Sequence, residues 1–223
     1  MDYTGLFQST NIFNRTSINR FIDLYARSDN WHEMDKTTGN LGYGWIHYAL
    51  IRVLQPKRVL CIGSRYGYIP AICALACRDN QKGMVDFVDA GYDQANPKHK
   101  SHWGGVGFWN TQEGGHIFEK FNLEHYITMH IMTTQKFKKL YPSHTWSYIH
   151  VDGDHSYAGV ESDFRFFWPK LTKGGFMAFH DIHTKHTNDL DYGIHQFWQE
   201  LRLKKIYNMI EFPGTFGLGI IQK

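Results

Sequence analysis

The chain has 223 residues, of which 42% are hydrophobic and 16% aromatic, enough to bury one substantial core. Its 24 Lys and Arg nearly balance 21 Asp and Glu, for a net charge of +3, and the basic clusters (Lys98-His99-Lys100 and 136–139) are short. That pattern argues against nucleic acid as the principal partner. No apolar run has transmembrane length, no basic-then-apolar leader follows Met1, and three cysteines make no disulfide framework. Membrane association is not expected, and a reducing cytoplasm is the expected compartment.

The first 44 residues are polar and irregular around one amphipathic helix over 17–27. Ile18, Phe21, Ile22 and Tyr25 share a face there, with Ser17 as N-cap. They are expected to form a helical cap segment (1–44) on a catalytic domain (45–223). Gly39, Gly42 and Gly44 precede a second helix over 45–54, stopped by Pro56. Strands and helices then alternate. Arg58-Val59-Leu60-Cys61-Ile62 reads as a strand, followed by a helix over 69–76 with Pro70 in its opening turn. A strand over 84–88 ends at Asp89.

The segment 95–115 reads as a long loop, a lid over a site or a loop pinned by its own aromatics Trp103, Phe108 and Trp109. A short helix over 118–121 precedes a strand over 127–132. After it come a strand over 148–151, a helix over 157–168, a tight turn at Lys173-Gly174-Gly175 and a strand over 176–180. A helix over 194–203 and strands over 206–212 and 218–222 close the chain. This series predicts an α/β fold with a mostly parallel sheet and an antiparallel edge.

Two constellations carry chemistry. The first is the βαβ unit whose turn is Gly63-Ser64-Arg65-Tyr66-Gly67. Glycines admit close backbone approach, and a carboxylate at the next strand's tip, Asp89, suits ribose hydroxyls. The spacing is G-x-x-x-G, so the dinucleotide fingerprint G-x-G-x-x-G is not met. A nucleoside without pyrophosphate, such as S-adenosylmethionine (SAM), fits better than a nicotinamide cofactor. The same glycines also suit a plain tight turn.

The second constellation is Val151-Asp152-Gly153-Asp154-His155 at one strand end and His180-Asp181 at the next. If those strands are neighbours, Asp152 and Asp181 converge on one Mg²⁺ or Mn²⁺, with His155 placed to take a hydroxyl proton. His183 and His186 extend the cluster and keep zinc open.

Residues 59–68 resemble the first motif of class I SAM-dependent methyltransferases. Val151-Asp152-Gly153-Asp154-His155-Ser156-Tyr157, Asp163, Trp168-Pro169, Gly174-Gly175 and His180-Asp181 resemble the branch of macrocin- and mycinamicin-type sugar O-methyltransferases and cephalosporin-type enzymes. The resemblance spans 45–223. It implies a Rossmann-like seven-stranded sheet with helices on both faces and an antiparallel last strand. It also implies that Gly63, Ser64, Arg65, Gly67, Asp89 and Asp152 bind SAM, and that Asp152, His180 and Asp181 hold the metal. His155 would be the base, with Asp152 in the catalytic pair. Two departures stand out: Cys61 occupies the place of the motif's usual acid, and His180 replaces the first acid of the metal pair.

The expected function is metal-assisted transfer of a methyl group from SAM to a hydroxyl of a small molecule, a sugar or glycosylated metabolite. Metal-independent methyl transfer (including to nitrogen, with His155 or Asp154 alone), a non-catalytic SAM-binding module and homo-oligomerisation all stay open.

Overall fold

The structure is a computed structural model that describes residues 14–99, 105–185 and 192–223. Seven strands form one sheet in the order β3-β2-β1-β4-β5-β7-β6. They are β1 (Arg58–Ile62), β2 (Met84–Asp89), β3 (Ile127–Ile131), β4 (Trp146–Val151), β5 (Leu171–His180), β6 (Asn208–Phe212) and β7 (Leu218–Gln222). The first five pair in parallel, and β7 runs antiparallel between β5 and β6. The Rossmann-like α/β expectation is met.

Strand alternation divides the core in two. Val59 and Cys61 face one side, where they join α1 (Arg15–Tyr25), α2 (Gly44–Leu54) and α3 (Tyr68–Asp79). Leu60 and Ile62 face the other, packing with α5 (Thr134–Leu140), α6 (Tyr157–Phe167) and α7 (Ile194–Lys204). Both faces are covered, so β1 is apolar at every position after Arg58. Ile18, Phe21, Ile22 and Tyr25 of α1 lie in the same core cluster as α3. Among the described residues no helix is long and apolar enough to cross a membrane.

Several local expectations are corrected. Asn14, not Ser17, caps α1, its side chain accepting from the Ser17 N–H at 2.9 Å. The helix expected over 118–121 is a 3-10 turn, Ile117–Phe121. Helix α5 was not anticipated, because its sequence reads as a basic surface stretch with Phe137 alone buried deep. Lys173-Gly174-Gly175 is not a turn but part of β5. The Gly174 N–H donates to the Lys223 carbonyl and the Lys223 N–H to the Gly175 carbonyl, while the register with β4 slips between Trp146 and Tyr148. The glycines mark an irregularity inside a paired strand.

The described part of the segment 95–115 also has structure, a short helix α4 (Gln112–His116) after a 3-10 turn, Phe108–Asn110. A Cβ at Gly114 would stand 2.2 Å from the Phe108 carbonyl oxygen, so only glycine allows that approach. Phe108 and Trp109 are buried and pin this segment to the domain; Trp103 lies outside the described residues.

Behind the sheet's working edge, Asp86 of β2 is 1% exposed and accepts from both arms of Arg58, from Trp146 Nε1 at 2.8 Å and from His130 at 3.2 Å. Burial pushes its carboxyl up, but these donors together hold it below the ordinary value. Asp86→Ala leaves the donors unpaired and is expected to cost about 3–5 kcal/mol, read as a lower urea midpoint. A depressed carboxyl stabilises above its ordinary range and ceases to as pH falls through the folded value, so the gap to the parent should narrow in acid.

Candidate active site

The parallel register brings four strand ends to one edge. Asp89 ends β2, Gly63 follows β1, Asp152 follows β4, and His180-Asp181 closes β5. Val151 pairs with Phe179, which sets Asp152 level with His180 on the adjacent strand. All of these residues line one cavity of about 500 Å³, within the range of small-molecule sites. The segment after α1 adds a wall from Asp29, Trp31 and His32.

The turn after β1 is shaped mainly by protein contacts. Gly63 has φ +74° and its Cβ would lie 2.1 Å from the Asp152 carbonyl oxygen. Gly67 has φ +96° and faces the Trp109 ring. Trp109 Nε1 donates to the Ser64 carbonyl at 2.7 Å, and the Gly67 N–H donates to Ser64 Oγ. Cys61, where the resemblance expects an acid, is fully buried in the core near Cys73.

Asp89 accepts the Ser64 N–H on Oδ2 (3.0 Å) and the Gly91 N–H on Oδ1 (2.8 Å). Each oxygen keeps an acceptor position, which fits a pair of vicinal hydroxyls. Burial pushes its carboxyl up to about 6 against those two backbone donors.

Asp152, His155, His180 and Asp181 converge. His155 Nε2 is 3.1 Å from Asp152 Oδ1 and 3.2 Å from Asp181 Oδ2. His180 Nδ1 is 3.4 Å from an oxygen of each carboxylate, and its Nε2 donates to the Trp31 carbonyl at 2.9 Å. A neutral imidazole has one N–H, yet both His180 nitrogens face acceptors. Burial pulls His180 down, but Asp181 and Asp152 together hold it well above the ordinary histidine value. Burial also opposes ionisation of Asp152, and His180 with His150 and His155 overcomes it and holds the acid well below the usual range. His155 is raised in the same way by the two carboxylates against burial.

Asp181 has φ +62°, a left-handed conformation that costs a non-glycine residue about 1–3 kcal/mol and recurs at functional sites. Ser156, not His155, caps α6, accepting the Gly159 N–H. Asp154 is exposed and turned to the Ser156 N–H. His183 lies against the Gly214 carbonyl, away from this group, and His186 is outside the described residues.

For a divalent ion, one atom each from Asp152, His155 and Asp181 lies within 4.8 Å of the others. His155 therefore completes the compact group, and His180 braces both carboxylates. Two carboxylates and an imidazole fit an ion that accepts both oxygen and nitrogen, such as Mn²⁺, better than an all-oxygen Mg²⁺ shell.

Sequence reasoning missed the buried imidazoles beneath. His32 lies 4.4 Å from His180 between ring centroids, and His47 lies 4.9 Å from His150. Burial drives His32 and His47 well below the ordinary value. The signal available was His150, an imidazole between the apolar Ile149 and Val151 of a buried strand.

Asp89 supplies a pH signature. A carboxyl raised above its ordinary 3.8 stabilises the fold below that value and ceases to as pH rises through about 6. Asp89→Asn should flatten that decline in the denaturation midpoint between those pH values.

The family described as "Methyltransferase domain" matches residues 60–182, from β1 through both acid-bearing strand tips. The uncharacterized protein y4gI of Sinorhizobium fredii is 24% identical over 201 residues, covering 85% of this chain and 20% of that protein. The chain therefore spans about a fifth of that relative's length, 20%. An O-methyltransferase from Bacillus cereus in complex with SAH aligns with a TM-score of 0.61 and 14% identity, covering 93% of this chain and 91% of its own. TomG, an O-methyltransferase from Streptomyces achromogenes solved with SAM, gives 0.60 and 12%, covering 99% and 92%. At such identities the likeness is one of fold. The family match covers more than half of the sequence and contains the glycine turn and both acid clusters, so the chain belongs to the methyltransferase domain family.

Proposed function

We propose that this protein is a SAM-dependent O-methyltransferase acting on a hydroxyl of a small molecule, of the sugar or glycosylated-metabolite class. The observation that carries the reading is that Asp89 and the Asp152–His155–Asp181 cluster open on one cavity. When bound, SAM supplies a methyl group on a sulfonium, and a divalent ion beside Asp152 and Asp181 supplies a Lewis acid that lowers the acceptor hydroxyl's pKa.

In this reading Asp89 accepts the ribose hydroxyls, and Ser64 and Gly67 hold the turn that carries the nucleoside. Asp152 and Asp181 would hold the ion through oxygen alone and orient the acceptor's oxygens, so that in this reading His155 is the base and not a ligand, and receives the hydroxyl proton at Nε2. The two carboxylates at 3.1 and 3.2 Å from that atom stabilise the imidazolium formed. The sulfonium already carries an activated methyl group, so positioning dominates the rate.

A second reading, methyl transfer without metal, draws on His180. Both of its nitrogens face acceptors, so an imidazolium there would already offset one of the two carboxylate charges. Turnover that survives exhaustive chelation favours this reading; turnover lost on chelation and restored by Mn²⁺ favours the first.

His155→Gln is expected to lower turnover about 10²–10⁴-fold with SAH affinity nearly unchanged, as measured by product formation and calorimetry. Unaltered turnover in a folded His155→Gln variant would remove it as the base. Absence of SAH binding by the parent protein would overturn the proposed function.

A further inference from the structure

Three buried groups lead in line to the acid cluster and have no part in the steps above. Tyr148 and His150 of β4 and Asp152 just beyond it are spaced two apart, so they share one face of the sheet. His47 of α2 lies over that face. Its Nδ1 is 2.6 Å from the Tyr148 hydroxyl, and its ring meets that of His150 at 4.9 Å and 82°. His150 Nε2 in turn stands 3.7 Å from Asp152 Oδ2. Both imidazoles are 0% exposed, and His47 Nε2 and the two nitrogens of His150 have no hydrogen-bond partner among the described residues. Dry, unsatisfied imidazoles cost stability that an apolar pair would not, which points to a use beyond packing.

The proton positions follow from the two ends of the line. A carboxylate only accepts, so His150 carries its proton on Nε2, the nitrogen facing Asp152. The Tyr148 hydroxyl has no other partner among the described residues, so it donates to His47 Nδ1 and pins that ring. The near-perpendicular contact pins His150 in turn. The other oxygen of Asp152, Oδ1, faces His155 at 3.1 Å and His180 at 3.4 Å. The two oxygens are thus divided, Oδ1 to the acid cluster and Oδ2 back to His150. Resting on the metal-assisted reading of that cluster, we propose that His150, held by His47 and Tyr148, is a positioning residue that reserves Oδ2 of Asp152 and presents Oδ1 alone to the divalent ion. His150 touches neither ion nor acceptor and acts through Asp152. At 3.7 Å its N–H dipole steers the carboxylate rather than bonding it. An acid bound through one oxygen leaves open a coordination position that a bidentate one would fill, and the acceptor needs that position.

Mn²⁺ alone is the probe, its affinity read from the electron paramagnetic resonance signal of the free ion. S-adenosylhomocysteine affinity is measured on the same protein by calorimetry, and the fold by its urea midpoint. His150→Leu is expected to weaken Mn²⁺ about 10–100-fold while leaving S-adenosylhomocysteine within about twofold. His150→Gln, whose amide can donate where Nε2 does, should recover most of that loss. Tyr148→Phe removes only the hydroxyl at the far end and should still weaken Mn²⁺, by about threefold; it decides alone should His150→Leu fail to fold. Unchanged Mn²⁺ affinity in the folded variants overturns the proposal. So does an equal loss in His150→Leu and His150→Gln, which would make volume and not the donor the cause, and so does a parallel loss of Mn²⁺ and S-adenosylhomocysteine, which would mean that the cavity has collapsed. A parent protein that binds S-adenosylhomocysteine but no Mn²⁺ refutes the metal-assisted reading itself and the proposal with it, a result distinct from failure of His150 alone, where the parent binds the ion.

Discussion

A carboxylate removed from water organises this molecule. Asp152 sits at the end of β4 with little access to solvent, and an ionised acid there is tolerable only if cations or donors surround it. Histidines from three places do so: His150 from its own strand, His155 from the turn before α6, and His180 from the neighbouring strand. His180 is in turn anchored by the Trp31 carbonyl, so the segment after α1 is registered to the same charge. The turn after β1 obeys it as well, since Gly63 packs on the Asp152 backbone at a distance no side chain permits. One buried charge thus fixes how four parts of the chain meet.

Much of this was legible in the sequence, because strand tips in a parallel sheet are predictable places. Once β1, β2, β4 and β5 are read from their apolar runs, Asp89, Asp152, His155 and Asp181 must fall on one edge. Their convergence then needs only adjacency of β4 and β5, which the sheet order provides. Gly63 and Gly67 were legible as special positions but not for the right reason. Sequence spacing suggests a ligand's close approach, whereas the tight neighbours are the Asp152 backbone and the Trp109 ring.

What escaped the sequence is what distance along the chain hides. His32, His47, Asp29 and Trp31 sit in stretches whose local pattern says only helix, turn and polar surface. Their meaning comes from residues far along the chain: His180 for Trp31 and His32, His150 for His47, and Arg65 for Asp29. Lys173-Gly174-Gly175 shows the converse error. Local propensity favours a turn, but pairing with the chain's last residues keeps the backbone in the sheet. Helix α5 was hidden because its buried face is little more than one phenylalanine and the stem of Lys138, which reaches Asp163 at 2.9 Å.

The hydrogen bond between the Trp31 carbonyl and His180 joins residues 149 positions apart. Closing a loop of that length carries an entropic cost that the packing around the contact has to offset. The cavity wall and the acid cluster therefore come together only when the segment after α1 docks on the sheet edge. A ligand that needs both discriminates the finished fold from every precursor, and its binding energy adds directly to the stability of that fold alone. The site thereby doubles as a checkpoint on folding: occupancy reports that the two distant halves of the chain have met.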